Sequence, residues 1–296
     1  MKDKHYFADR VVNGALRPID MKSGRGRITY AVLTLIILIH LCIVIIPVLW
    51  MFMLCFKSPE EIYSNVPSFF PKVFSFAKIK NTWCELEIYK YYMNTIIMGL
   101  GCVVFDITVC GLAGYSISRL KPKGGRGYFA LISLMMLMPA TCAMVPNYML
   151  FKNLNLLNTF FPVWLLAGTN IFNILLFKTS FDGISTSLIE AANIDGASVL
   201  RIFIKIMIPL SIPVIATCAI FTFNGSFGNF FWPYLTIQTE QMKTMAVRLY
   251  ELKNSAALTM DKQMLTAIFS IIPQVVVFIV FQKYIMGGIN VGGVKG

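Results

Sequence analysis

The residues whose types and spacing suggest a task lie in one run, Glu190-Ala191-Ala192-Asn193-Ile194-Asp195-Gly196-Ala197, followed by Phe203, Ile206, Ile208-Pro209-Leu210 and Pro213. Two carboxylates on a small-residue segment suit recognition better than bond-making. Ser187 with Glu190 three residues on predicts a capping box that opens a short helix. Leu188, Ala191, Ala192 and Asp195 then fall on neighbouring turns as a narrow ridge, and Gly196 supplies a left-handed stop. A second amphipathic stretch from Ala197 to Met207 leads on to Pro209. Small residues let a partner approach closely, while Glu190 and Asp195 offer directional contacts. Spacing alone leaves two readings open, a docking surface or a polar connector between helices.

A second set of polar residues sits inside apolar runs. An ionised carboxylate at mid-bilayer costs about 2.5–3.5 kcal/mol even on lenient scales, so Asp106 is expected to face a bundle interior. There it is either a polar wall of a pathway or a structural, helix-bonded group. His40, alone in an apolar run, reads as a structural hydrogen-bonder. Asn170, Asn173 and Asn224 are better pathway candidates, because neutral amides bond hydroxyl-bearing solutes without the desolvation cost of charge. Phe227, Trp232 and Tyr234 join them near a mouth, although interfacial aromatic belts explain such residues equally well. Gly99, Gly101, Gly111 and Gly114 suit close helix crossing. The cysteines Cys42, Cys55, Cys84, Cys102, Cys110, Cys142 and Cys218 show no metal-ligand spacing and mostly lie in apolar runs, so neither a zinc site nor a disulfide framework is expected. No metal or cofactor is expected.

The elements that must position these residues are membrane helices. Hydrophobic residues make up 57% and charged residues 14% of the 296-residue chain, against roughly 45–50% and 25% in soluble domains. Apolar runs of 18 or more residues are long enough to cross a hydrocarbon core of roughly 30 Å. Six spans are predicted: Ile28–Phe56, Tyr92–Ile117, Tyr128–Phe151, Phe160–Phe177, Ile202–Phe223 and Leu265–Tyr284. The first is too long and too strongly continued to be a cleaved leader. Six crossings put both termini on one side. That side holds 16 of the 26 Lys and Arg, among them Arg119, Lys121, Lys123 and Arg126 in a loop without acids; it is therefore the cytoplasmic one. The segments 57–91 and 228–264 fall outside, the first reading as a turn-rich cap. The expected organisation is an all-α integral membrane protein, with a cytoplasmic segment 1–27, a transmembrane domain 28–285 with its core at 90–285 and an inner loop at 182–205, and a cytoplasmic tail 286–296.

With the loop and spans placed, a resemblance becomes specific. Glu190-Ala191-Ala192, Gly196, Ile206 and Pro209 fit the offsets of the EAA loop of ABC-importer permeases, Ile208 standing where leucine is usual. Asp195, Ala197 and Pro213 resemble the carbohydrate branch, the maltose-system G-type subunit family. So do Phe56-Lys57-Ser58 with Glu60-Glu61-Ile62, Asn94-Thr95, Pro139 and Pro146, Asn155-Leu156-Leu157-Asn158-Thr159, Phe221-Thr222-Phe223, Phe231-Trp232-Pro233, and Gly292-Gly293-Val294-Lys295-Gly296. The resemblance covers most of the chain from about Ile28 onward. It implies a type I importer (MetI-like) fold in a bacterial cytoplasmic membrane. The implied partners are a second, homologous permease, two ATPase subunits, and an extracytoplasmic solute-binding protein that delivers a sugar, an oligosaccharide by preference. It implies that Glu190, Ala191, Ala192, Asp195, Gly196 and Ala197 form the ATPase-coupling site; Asp106, Asn170, Asn173, Asn224 and Trp232 are, on their own chemistry, the candidates for the substrate pathway. It also implies that the tail at Lys295 reaches towards the ATPases.

Other classes fare worse. The net charge of +12 is a topology signal without interleaved stacking aromatics, so nucleic acid is not an expected partner. The Gly124-Gly125-Arg126-Gly127 turn lacks the lysine and helix of a phosphate-binding loop, so ATP hydrolysis is expected on a separate subunit. With His5 and His40 the only histidines, no nucleophile–base cluster marks an enzyme. An ion-coupled secondary transporter is the principal alternative, but related halves and interrupted mid-membrane helices are not evident in the sequence.

Overall fold

Helix α1 (Gly24–Leu54) is apolar on every face and keeps its apolar side chains exposed along its length. That is untenable in water but expected of a helix against lipid or a partner. His40 is exposed on it with no hydrogen bond among the described residues, so the structural role expected for it is not seen. The computed structural model describes residues 24–64, 68–254 and 258–290. They fall into two compact units that part after Phe74. In the first, α1 is followed by the short α2 (Pro59–Ile62), whose first turn is capped by the Ser58 hydroxyl. Lys57 donates to Ser68, and Trp50 meets Phe69 edge-on at 5.4 Å.

The second unit holds the bundle. After α3 (Phe76–Glu85), α4 runs without a break over Ile88–Leu120. It carries two π-turns, at Asp106–Cys110 and Ser116–Leu120, irregularities often found at functional positions. Next come α5 (Gly125–Met135), α6 (Met144–Asn153), α7 (Phe161–Ala167), α8 (Ile171–Asp182), α9 (Thr186–Ile194), α10 (Val199–Leu210) and α11 (Ile212–Gly228). Then follow α12 (Phe231–Thr236), α13 (Met245–Asn254) and the long α14 (Met260–Asn290).

Among the described residues, α1, α4 and α14 are each long and apolar enough to cross a membrane. The count reaches six only if three bent pairs each make one crossing. The predicted spans Tyr128–Phe151, Phe160–Phe177 and Ile202–Phe223 fall on these three bent pairs. The α5/α6 pair bends by 101° between Met135 and Ala140, a break that ends on Pro139, α7/α8 by 44° at Gly168-Thr169-Asn170, and α10/α11 by 82° at Ser211 between Pro209 and Pro213. Proline and glycine at each break interrupt the amide ladder. The buried Ser211 hydroxyl accepts from Ser180 at 3.2 Å, tying the α10/α11 bend to α8. Segment 57–91, read as turn-rich, also contains α2 and α3.

Close approach is supplied where glycine was expected to supply it. A methyl group at Gly114 would lie 2.7 Å from Phe177 Cβ and 2.9 Å from the Lys178 amide nitrogen, and one at Gly101 would collide with the Trp164 ring. Trp164 lies flat enough over α4 for its indole N–H to reach the Met98 carbonyl at 3.0 Å.

Candidate functional site

Two places bring the singled-out residues together: the loop between α8 and α11, and a cleft within the bundle. In the loop, α9 is opened by Ser185, whose hydroxyl accepts from the Ser187 amide at 3.3 Å. The predicted capping box at Ser187 and Glu190 is thus displaced by two residues, because Ser185 already occupies the non-helical position that a cap requires. The far end matches its prediction. Gly196 adopts φ +75°, its amide donates to Asn193 O at 3.0 Å, and the Ala197 amide donates to Ala192 O at 2.9 Å. This paired closure satisfies the last carbonyls and fixes the angle at which the chain leaves α9. Ser198 then caps α10 through the Arg201 amide.

One face of α9 is anchored and the other is free. Ile189, Ala192 and Ala197 pack against a buried cluster that includes Phe177, Phe181, Ile202 and Phe203. Glu190, Ala191, Asp195 and Gly196 are exposed. Ala192 therefore leaves the outward ridge predicted for it and serves as anchor. Around the acids stand exposed apolar residues: Leu188, Ile194 at 86% exposure, Val199 and Leu200. Two carboxylates within an exposed apolar patch, held on a rigid stem, have the composition of a docking surface.

The cleft lies between α4, α7, α8 and α11, with a volume of about 410 Å³. Asn170, Asn173, Thr222, Ser226 and Asn229 give it amides and hydroxyls, and Phe172 and Phe221 give it aromatic walls. The α7/α8 break positions Asn170, which caps α8 by accepting from the Asn173 amide at 3.3 Å. Asn229 plays the matching part beyond α11, accepting from the Trp232 amide at 3.3 Å. Both side-chain NH2 groups are left for other partners.

Asp106 sits behind this lining, fully buried. The Asn173 amide donates to both its oxygens at 2.9 Å, and the Thr222 hydroxyl donates to one of them at 2.9 Å. This knot joins α4, α8 and α11. The structure thus brings Asp106 and Asn173 together and leaves Asn170 on the cleft, but places Asn224 and Trp232 elsewhere. Asn224 Oδ1 is buried without a partner among the described residues, and the Trp232 ring packs on Phe151 at 5.8 Å. Thr222, Ser226 and Asn229 were missed as pathway candidates. The i, i+4 spacing of Thr222 and Ser226 on one face of α11, with Asn229 just past its end, is the signal that was available.

At the bundle end away from α9, Asn94 donates to the Gln241 and Lys243 carbonyls, Thr95 accepts from the Met245 amide, and the Tyr91 hydroxyl donates to Glu240 at 2.9 Å. Glu240 pairs with Lys243 at 2.5 Å and Arg248 at 3.4 Å. The Lys243 ammonium bonded to it holds its carboxyl below the usual range. Among the described residues no cluster of His, Cys, Asp and Glu is arranged to hold a metal.

Residues 21–290 match the family model described as binding-protein-dependent transport system inner membrane component. The chain belongs to this family. It is thus a membrane-embedded permease component of a transport system, and a secondary transporter is set aside. It is 29% identical to the arabinooligosaccharides transport system permease AraQ of Halalkalibacterium halodurans, over 86% of this chain and 92% of that protein. Identity to the maltodextrin permease MalD of Streptococcus pneumoniae is 31%, over 89% of this chain and 95% of that one. A solved bacterial ABC transporter involved in the import of the acidic polysaccharide alginate shares the fold, with a TM-score of 0.77 and 25% identity over 88% of this chain and 98% of that one. The permease carries the type I architecture expected from the resemblance.

Proposed function

We propose that this permease is one half of the transmembrane path of an ATP-driven oligosaccharide importer in a bacterial cytoplasmic membrane. It pairs with a second permease, takes its solute from an extracytoplasmic binding protein, and is driven by two ATPase subunits on the side of α9, where both termini also lie. The observation that carries this reading is the exposed, rigidly capped α9 with Glu190 and Asp195 amid Leu188, Ile194, Val199 and Leu200. ATP binding can drive a bundle only by favouring one of its states over another. A stiff helix anchored on one face and docked on the other delivers that difference. The relatives named for arabinooligosaccharides and maltodextrin, together with an uncharged cleft of amides, hydroxyls and aromatic rings, favour a neutral saccharide. The proposed tail contact at Lys295 lies outside the described residues.

The test is uptake into proteoliposomes that hold the complete complex, with labelled malto-, arabino- and galacto-oligosaccharides offered on the binding protein. Saturable accumulation that requires ATP is expected for at least one of them. Accumulation of a charged solute with none of any saccharide would overturn the carbohydrate assignment. Asn170→Asp and Asn229→Asp keep the two helix caps but replace NH2 donors by acceptors. Losing such a bond costs about 0.5–1.5 kcal/mol, so saccharide affinity should fall about two- to tenfold.

A further inference from the structure

The two stems of the α9 loop converge on one short stretch of α4. Its last five residues, Ser116–Leu120, form the second π-turn, and side chains at or beside this turn reach both stems. On the stem leading into α9, the Ser118 hydroxyl donates to Asp182 Oδ1 at 2.6 Å, and the Arg119 guanidinium donates to the carbonyls of Phe181 and Ile184. Lys178 holds the other Asp182 oxygen at 2.6 Å. On the stem leading away, the Tyr115 hydroxyl donates to Val199 O at 3.5 Å and its ring lies 5.2 Å from Phe203. Phe181 closes an aromatic triangle with these two rings at 6.2 and 6.3 Å. Tyr115, Ser118, Phe181 and Phe203 are all buried.

Arginine is the residue suited to this place. Both bonds leave one terminal guanidinium nitrogen, whose two N–H groups lie in a fixed plane and reach two carbonyls at a helix C-terminus, where the dipole also favours a cation; a lysine would offer a rotating point charge. The Arg119 Nε is buried with no acceptor among the described residues, so the two carbonyls are the acceptors that hold the group. The same helix continues without a break to the cleft. Cys102 on its wall lies 16 residues from Ser118, about 24 Å along an α-helix at 1.5 Å per residue. A loop gripped at this point moves α4, and α4 reaches the solute.

We propose that Arg119 is a positioning residue which, with Ser118 and Tyr115, locks α4 to both stems of the coupling loop. The loop and α4 then travel as one body, and displacement of α9 reaches the cleft through α4 as well as through α8 and α11. The proposal rests on α9 being the ATPase-facing element.

The experiment measures saccharide moved per ATP hydrolysed in proteoliposomes of the full complex, with ATPase retention scored by pull-down. Arg119→Ala should keep the ATPase subunits but lose about tenfold in transport per ATP, within the usual range of coupling between sites. Arg119→Lys should fall between. Bridging a Ser118→Cys/Asp182→Cys pair with a short thiol reagent should leave an otherwise wild-type complex active and restore coupling to Arg119→Ala. A wild-type ratio in Arg119→Ala, or arrest of transport by the bridge alone, overturns the proposal. So does loss of the ATPases from Arg119→Ala, since the residue would then merely build the loop. Glu190→Lys runs in parallel: if it uncouples while Arg119→Ala does not, only the grip fails. If Glu190→Lys keeps both docking and ratio, the reading of α9 fails and the grip falls with it.

Discussion

Asp106 gathers the densest polar bonding in the interior of the bundle, with Asn173 and Thr222 donating to it from two other helices. Removing the acceptor would leave the buried Asn173 amide only its 3.1 Å bond to Thr222 and take from the half-buried Thr222 hydroxyl its acceptor, at about 1–3 kcal/mol for a buried group left unsatisfied. Asp106→Ala should therefore lower the thermal midpoint of the detergent-purified permease. Combined with Asn173→Ala it should cost less than the two single changes added together, by about 0.5–3 kcal/mol. An unchanged midpoint in Asp106→Ala, or strict additivity, would show that the knot holds nothing. Neither partner was paired in advance, because 67 residues separate Asp106 from Asn173 and the π-turn at Asp106 alters the register that a regular helix would give. The exposed place of Glu190 on a short capped helix was easier to read, since it depends on neighbours within one turn.

Helix crossings carry the next level. Gly114 and Gly111 lie on the same helix, yet a Cβ at Gly114 would press on α8 backbone, whereas one at Gly111 would meet nothing nearer than Phe203 at 3.7 Å. Gly114→Ala should push α4 from α8 and destabilise by about 1–3 kcal/mol, while Gly111→Ala should be tolerated. Size-exclusion profiles after graded heating would separate them; equal behaviour of the two would contradict the packing described. Local chemistry made the α9 loop legible: the left-handed Gly196 and the small residues before it act over a few bonds. The bends at Pro139, Gly168 and Ser211 were not legible as bends. The prolines were visible, but membrane helices tolerate proline when neighbours satisfy the freed carbonyls, and only the tertiary partners decide between a kink and a turn. Arg119 read as a topology charge for the same reason, its carbonyl partners being more than 60 residues away.

For the molecule as a whole, the two ends of the bundle are held by different physics. The end with α9 is tied by Arg119, Ser118 and an aromatic triangle, whereas the opposite end combines the Asn94 and Thr95 bonds to backbone with a partly exposed ionic group around Glu240. The Glu240 carboxyl is held below its ordinary value by Lys243. Its contribution is therefore complete above the unfolded carboxyl value of about 4.3 and is lost as pH falls through the lower folded value. Amide exchange of 240–254 should accelerate over that acidic window in wild type, and the step should vanish in Glu240→Gln; an identical step in both would assign it elsewhere. We propose that α9 carries the work of ATP hydrolysis into the bundle, and Glu190 is where this is tested. The most direct measurement is saccharide uptake and ATP hydrolysis on the same proteoliposomes, with Glu190 intact or changed to Lys. The account predicts that Glu190→Lys inserts and pairs normally but loses ATPase docking or coupling, so that uptake collapses. Uptake and hydrolysis both at wild-type levels would contradict it.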